Sequence, residues 1–175
     1  MKILKHAIAV LAILFFALQA SAQKVKTTSG NSDILKTESA INIEFVYDNL
    51  SVGKYHNEQD YIKAKTEEYN KKEPGKGDSW ARNWENDKES RFEPKFIELF
   101  KISSGMNVMT EAKYTLIFKT FSIEPGYNIG IKRENAEIDA EVWFLETANK
   151  TKKLANFTIS NEPEGTAFGD ELQHG

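Results

Sequence analysis

Apolar and polar positions recur along this chain with two different periods, and each period predicts an element. From residue 41 the chain alternates, with Ile41, Ile43, Phe45 and Tyr47 on one side and Asn42, Glu44 and Asp48 on the other. A repeat of two is the pattern of a half-buried strand. Asn57, with Asp60 three residues on, then forms an N-cap pattern for a helix reaching about Lys72. Its apolar content is thin (Tyr61, Ile62, Ala64, Tyr69), which places it on the surface. The run Lys72-Glu73-Pro74-Gly75-Lys76-Gly77 ends it. A second helix starts at Asp78 or Ser79 and carries Trp80 and Trp84 on one face. Arg91-Phe92-Glu93-Pro94 interrupts it, since Pro94 suits the first turn of a third helix better than the interior of the second. Phe96, Ile97, Leu99 and Phe100 give that third helix its apolar face, and Gly105 its stop.

The last third reads as sheet. Tyr114 to Ile123 is rich in aromatic and β-branched residues, Pro125-Gly126 is a type II turn signal, and Tyr127, Ile129 and Ile131 alternate beyond it. Ile138, Ala140, Val142 and Phe144 then alternate with Glu137, Asp139, Glu141 and Trp143, and Asn149-Lys150 turns the chain into a strand over Lys152 to Ile159. The expected architecture is α+β, an antiparallel sheet of about four to five strands packed with two or three helices inserted after the first strand.

The chain begins differently. Lys2 and Lys5 precede an unbroken apolar run from Ala7 to Leu18, and Ala20-Ser21-Ala22 places small residues at a cleavage position before Gln23. This is the pattern of a secretory signal peptide over residues 1–22, too short to span a bilayer, which takes about 20 apolar residues. The chain is therefore expected to be exported, to the periplasm or the medium. Polar residues 23–32 read as a flexible leader, residues 33–160 as one globular domain and residues 161–175 as an irregular tail.

Composition narrows the function. The chain contains no cysteine, which removes thiol chemistry, disulfides and a lipid-bearing residue at the processing site. The net charge of -3 becomes -5 once Lys2 and Lys5 are removed, and a mildly acidic chain without a basic patch does not suit nucleic acid. Neither a membrane span nor a lipid anchor is expected.

Candidate chemistry is sparse. His56 and His174 are isolated, Ser79 in Gly77-Asp78-Ser79-Trp80 lacks the glycine of a nucleophile elbow, and Gly75-Lys76-Gly77 is too short for a phosphate loop. No catalytic residue and no cofactor is assigned. Glu137, Asp139 and Glu141 project from one side of a strand, a row that could gather a hard cation or provide the carboxylate pair of a glycosidase. On an exposed strand such a row also serves simply as the wet face. Trp80 and Trp84, with Arg82 and Arg91 nearby, could form a stacking platform for a sugar or peptide, or pack a helix onto the sheet.

Several segments together resemble a group of exported bacterial proteins without an assigned activity. They are Ser51-Val52-Gly53-Lys54-Tyr55 with Asp60-Tyr61-Ile62, Asn70 to Asp78, Arg91-Phe92-Glu93-Pro94-Lys95-Phe96, Tyr114 to Thr120, and Glu124-Pro125-Gly126-Tyr127-Asn128. The resemblance implies class and address, and carries no site. It also implies a final amphipathic helix after a stretch like Phe168-Gly169-Asp170, whereas this chain stops at His174-Gly175. An apolar patch on the sheet, or between sheet and helices, is the expected consequence. The leading expectation is a non-enzymatic binding domain whose partner is a protein or glycan of the cell envelope. The alternatives are a carboxylate-based glycan hydrolase and a cation-stabilised structural envelope protein.

Overall fold

In a computed structural model, which describes residues 24–129 and 132–160, strand β1 (Lys24–Gly30) leads through a 3-10 turn (Asp33–Thr37) to β2 (Ala40–Val46) and β3 (Ser51–Val52). Helices α1 (Glu58–Lys72), α2 (Lys76–Asp87) and α3 (Glu93–Ser104) follow, with a π-helical turn at Lys88–Phe92 joining the last two into one rod. Then come β4 (Asn107–Val108), β5 (Tyr114–Glu124), β6 (Tyr127–Ile129), β7 (Lys132–Glu134), β8 (Glu137–Glu146) and β9 (Asn149–Ser160).

The mixed α and β composition agrees with expectation, but a purely antiparallel sheet of four to five strands does not. Seven strands lie in the order β1-β9-β8-β5-β2-β4, with β3 continuing along β5, and the sheet is mixed. β5 with β8 and β8 with β9 are antiparallel, whereas β2 runs parallel to both β5 and β4. The helices explain the difference. A crossover carries the chain back to its starting end, so the next strand must run the same way as the last, and a period of two is blind to that direction. β3 and β4 have two residues each, too short to leave a pattern. Residues 24–30, read from their polarity as leader, form an edge strand whose side chains are all exposed. β6 and β7 form a separate two-stranded ladder.

Local chemistry sets the helix ends. Asn57 accepts the Asp60 N–H at 2.8 Å, and Gly105 ends α3 at φ 71°, donating its N–H to Lys101. Gly77 is required for a different reason. A Cβ there would collide with the Thr66 carbonyl of α1, and its N–H donates to Asn70 Oδ1 at 2.8 Å, so α1 and α2 meet backbone to backbone.

The expected break at Pro94 is instead a widening. Proline has no N–H for the carbonyl four residues back, and its ring clashes with that carbonyl in an α-helix. Here Glu93 reaches back five residues to the Lys88 carbonyl, the π hydrogen bond, and the rod continues. The extra residue sets the phase of the aromatic stripe. Trp80, Trp84, Phe92, Phe96 and Phe100 are spaced in multiples of four. Each step of four drifts by about 40° on an α-helix, about 200° from Trp80 to Phe100. One inserted residue takes back about 100° and returns both halves of the stripe to the sheet.

That stripe covers the sheet. Phe92, Phe96 and Phe100 pack on Ile41, Leu116, Phe118, Ala140 and Val142, while Trp80 and Trp84 pack on Leu50, Val52 and Tyr61. Phe96 lies 4.8 Å from Phe118 and 5.4 Å from Phe45 between ring centroids. Such pairs contribute about 0.5–1.5 kcal/mol each beyond the area they bury.

Gly77→Ala should lower stability in urea by about 2–3 kcal/mol, because backbone carbonyl cannot move aside. Gly105→Ala, with open space around it, should lose only about 1 kcal/mol from the left-handed backbone. Equal losses would show that α1 and α2 can separate at no cost.

Candidate functional site

A second one-residue insertion lies across from the first. Thr120 pairs with Ala140 and Ser122 with Asp139, so Phe121 is the extra residue of a β-bulge in β5. Leu116, Phe118 and Thr120 share the helix-side face by alternation; the bulge brings Ile123, opposite Ile138, onto that face as well. Between this bulge and the π-turn lies a cavity of about 210 Å³. Trp84, Asp87, Lys88 and Phe92 line it from the helical rod, Thr120, Ile123 and Ile138 from the sheet, and Tyr47 from the end of β2.

The charged groups around it are engaged. Lys88 Nζ lies 2.6 Å from Glu58 Oε1 in a pair with side chains only 19% and 13% exposed, and Trp84 Nε1 donates to Glu58 at 2.8 Å. The Tyr47 hydroxyl donates to Glu93 Oε1 at 3.1 Å, while Lys88 stands 5.1 Å from the Tyr47 ring centroid. Burial first, and then the Glu93 carboxylate, hold the Tyr47 phenol well above its ordinary value of 10.0. Asp87 pairs with Arg91 at 3.4 Å.

Thr120 is the exception. It is 1% exposed, and its hydroxyl has no hydrogen-bond partner. Leaving such a group unpaired costs about 1–3 kcal/mol. Two other buried polar atoms without a partner, Trp143 Nε1 and Asn156 Oδ1, belong to a cross-strand pair of β8 and β9 on the opposite face.

The residues singled out from sequence fall in three places. Trp80 and Trp84 stack at 5.7 Å, and both contact Tyr61, at 5.6 and 4.9 Å; both are half-buried. Arg82 and Arg91 are exposed and bond within their own rod, Arg82 to Ser79 and Arg91 to Asp87. Only Trp84 of these four lines the cavity. Glu137, Asp139 and Glu141 stand in a row opposite Glu124, Ser122 and Lys119. Among the described residues no group of three or more His, Asp and Glu side chains could hold a metal ion, and no helix is long and apolar enough to cross a membrane. His174 and residues 161–175 lie outside the described residues, as does the signal-like segment.

An open apolar hollow of about 470 Å³ lies beside α3, where Leu35, Phe100, Met106, Phe144 and Phe157 meet. It lies between sheet and helix.

Thr120, Tyr47, Lys88 and Phe92 were not singled out from sequence. One signal was present: Thr120 is a polar residue at a core-facing position of a strongly apolar strand. The regular spacing by four through a proline was a second.

Thr120→Val keeps the shape and removes the unpaired hydroxyl, so stability in urea should rise by about 1 kcal/mol; a loss would mean that the hydroxyl has a partner. For Tyr47 the sign follows from its raised folded value. Above about pH 10 the unfolded chain releases a proton that the folded protein keeps, so stability is full below that pH and falls beyond it. Burial raises Tyr61 in the same direction, so Tyr47→Phe should lessen the fall between pH 9 and 11 without abolishing it. An identical pH profile would show that Tyr47 titrates normally. Comparison with family models, with curated proteins and with solved structures returns no match, so the functional reading rests on the site's own geometry.

Proposed function

We propose that this chain is an exported, non-enzymatic binding domain that takes a small ligand into the cavity between the π-turn and the β5 bulge. The observation that carries the reading is the cavity of about 210 Å³ itself, lined mainly by apolar and aromatic side chains, with Asp87, Lys88 and Thr120 among them. Small-molecule sites have this composition, a mainly apolar lining with a few placed polar groups. Bulges and π-turns, each of which gives up regular hydrogen bonding, gather at such sites.

The carboxylates nearby favour binding over acid–base chemistry. Glu58 is held by Lys88 and Trp84, Glu93 by Tyr47 and Asp87 by Arg91, so each has a structural partner. Export accords with the signal-like first 22 residues and the absence of cysteine.

The test is amide chemical-shift mapping of the mature chain with a mixture of small aromatic fragments at millimolar concentration. Shifts should cluster at Thr120–Ile123 and at Trp84–Phe92, and should vanish in Ile138→Trp, which puts an indole into the cavity. Shifts elsewhere, or shifts that survive in the filled variant, would contradict the reading.

A further inference from the structure

We propose that the outer edge of β1 docks an extended peptide of another protein, one whose residues alternate between apolar and acidic. The peptide joins the sheet as a further strand, at a place separate from the cavity.

The edge itself offers the backbone. β1 is the last strand of the seven-stranded sheet and has a neighbour, β9, on its inner side alone. There the Asn31 N–H, just beyond the strand, donates to the Leu154 carbonyl at 3.2 Å, and the Thr28 and Thr158 hydroxyls lie 3.2 Å apart. The outer row of N–H and C=O groups has no ladder partner within the sheet, and such a row is a template for another strand. All seven side chains are exposed, and no proline removes a donor.

The side chains then set the partner's pattern. Val25, 65% exposed, stands on the helix side, in the wall of the open apolar hollow with Phe144, Phe157 and Ile159. Lys26 follows it and so stands on the other face, where it makes no ion pair among the described residues. A strand paired with β1 presents every second residue to the hollow and the residues between to Lys26. Apolar side chains suit the first row and carboxylates the second. A second copy of this chain suits neither. Its β1 offers Val25 as the single aliphatic side chain, and antiparallel pairing of two such strands gathers both Lys26 ammonium groups on one face.

Three capped hexapeptides test this: valine alternating with glutamate, valine alternating with lysine, and the glutamate sequence with every backbone amide N-methylated. Amide chemical-shift titration of the mature chain, at peptide concentrations up to the millimolar range, is the measurement. The glutamate peptide should shift Val25–Gly30 and Phe157–Ile159. The lysine peptide should bind about fivefold more weakly, the worth of one exposed attraction gained and one repulsion avoided. Lys26→Glu, a change at an exposed position, should reverse that order. The N-methylated peptide should not bind, because it has no donors for the edge carbonyls. Equal binding of the two charged peptides, an order that survives in Lys26→Glu, binding of the N-methylated peptide, or shifts that avoid β1 would overturn the proposal. So would the absence of any binding. Shifts in β1 that grow with the concentration of the chain alone would make a second copy the occupant, and would overturn it too.

Discussion

The structure depends on keeping one aromatic stripe in phase with one sheet over a helical rod that crosses a proline. Trp80 and Trp84 belong to the first half of the rod and Phe92, Phe96 and Phe100 to the second. A plain α-helix would carry the last of these about 200° round from the first, onto the solvent side. The widened turn at Lys88–Phe92 takes back half of that drift, and Pro94 is the residue that makes widening locally acceptable. The two hydrophobic clusters of the molecule, one under Trp80 and Trp84 and one under Phe92 to Phe100, are connected through that turn.

The same problem recurs in the sheet and is solved in the same way. β5 needs Thr120 and Ile123 on one face although they are three residues apart, and the bulge at Phe121 supplies the extra residue. Helical rod and strand therefore each carry one insertion, and the two face one another. Regular secondary structure packs densely because its side chains repeat at fixed intervals; where both partners break the interval, close packing fails. The cavity is the consequence. The Glu58, Lys88 and Trp84 cluster ties α1 to the π-turn at its rim, and Tyr47 with Glu93 ties the end of β2 to the start of α3.

Much of this was legible in the sequence, and the parts that were not have physical reasons. The Asn57 cap, the stop at Gly105 and the strands over Tyr114–Glu124 and Glu137–Glu146 follow from local chemistry and from strict alternation. Strand direction was not legible, since β2 shows the same period of two whether its neighbour is parallel or not. β1 was missed because an exposed edge strand needs no apolar face. Single-residue insertions were missed for a related reason: each changes phase without changing composition, so Arg91-Phe92-Glu93-Pro94 reads as an interruption. The cavity residues come from the residue after β2, from α2, the π-turn, β5 and β8, and no spacing along the chain announces their convergence. Trp84 was the one residue seen in advance, and only as half of a tryptophan pair.

The central claim is that the extra residue in the rod is demanded by packing and is more than a local response to proline. Pro94→Ala, alone and with one alanine inserted after Ser90, separates the two, because the first removes the proline at unchanged residue count and the second adds a residue that turns one half of the stripe by about 100°. Equilibrium urea unfolding with near-ultraviolet circular dichroism is the measurement. The account predicts that Pro94→Ala alone stays close to the parent chain. It predicts that the inserted alanine costs more than about 4 kcal/mol, with loss of the aromatic signal, since either the tryptophans or the phenylalanines must turn away from the sheet. An insertion variant as stable as Pro94→Ala, with its aromatic signal intact, would contradict it.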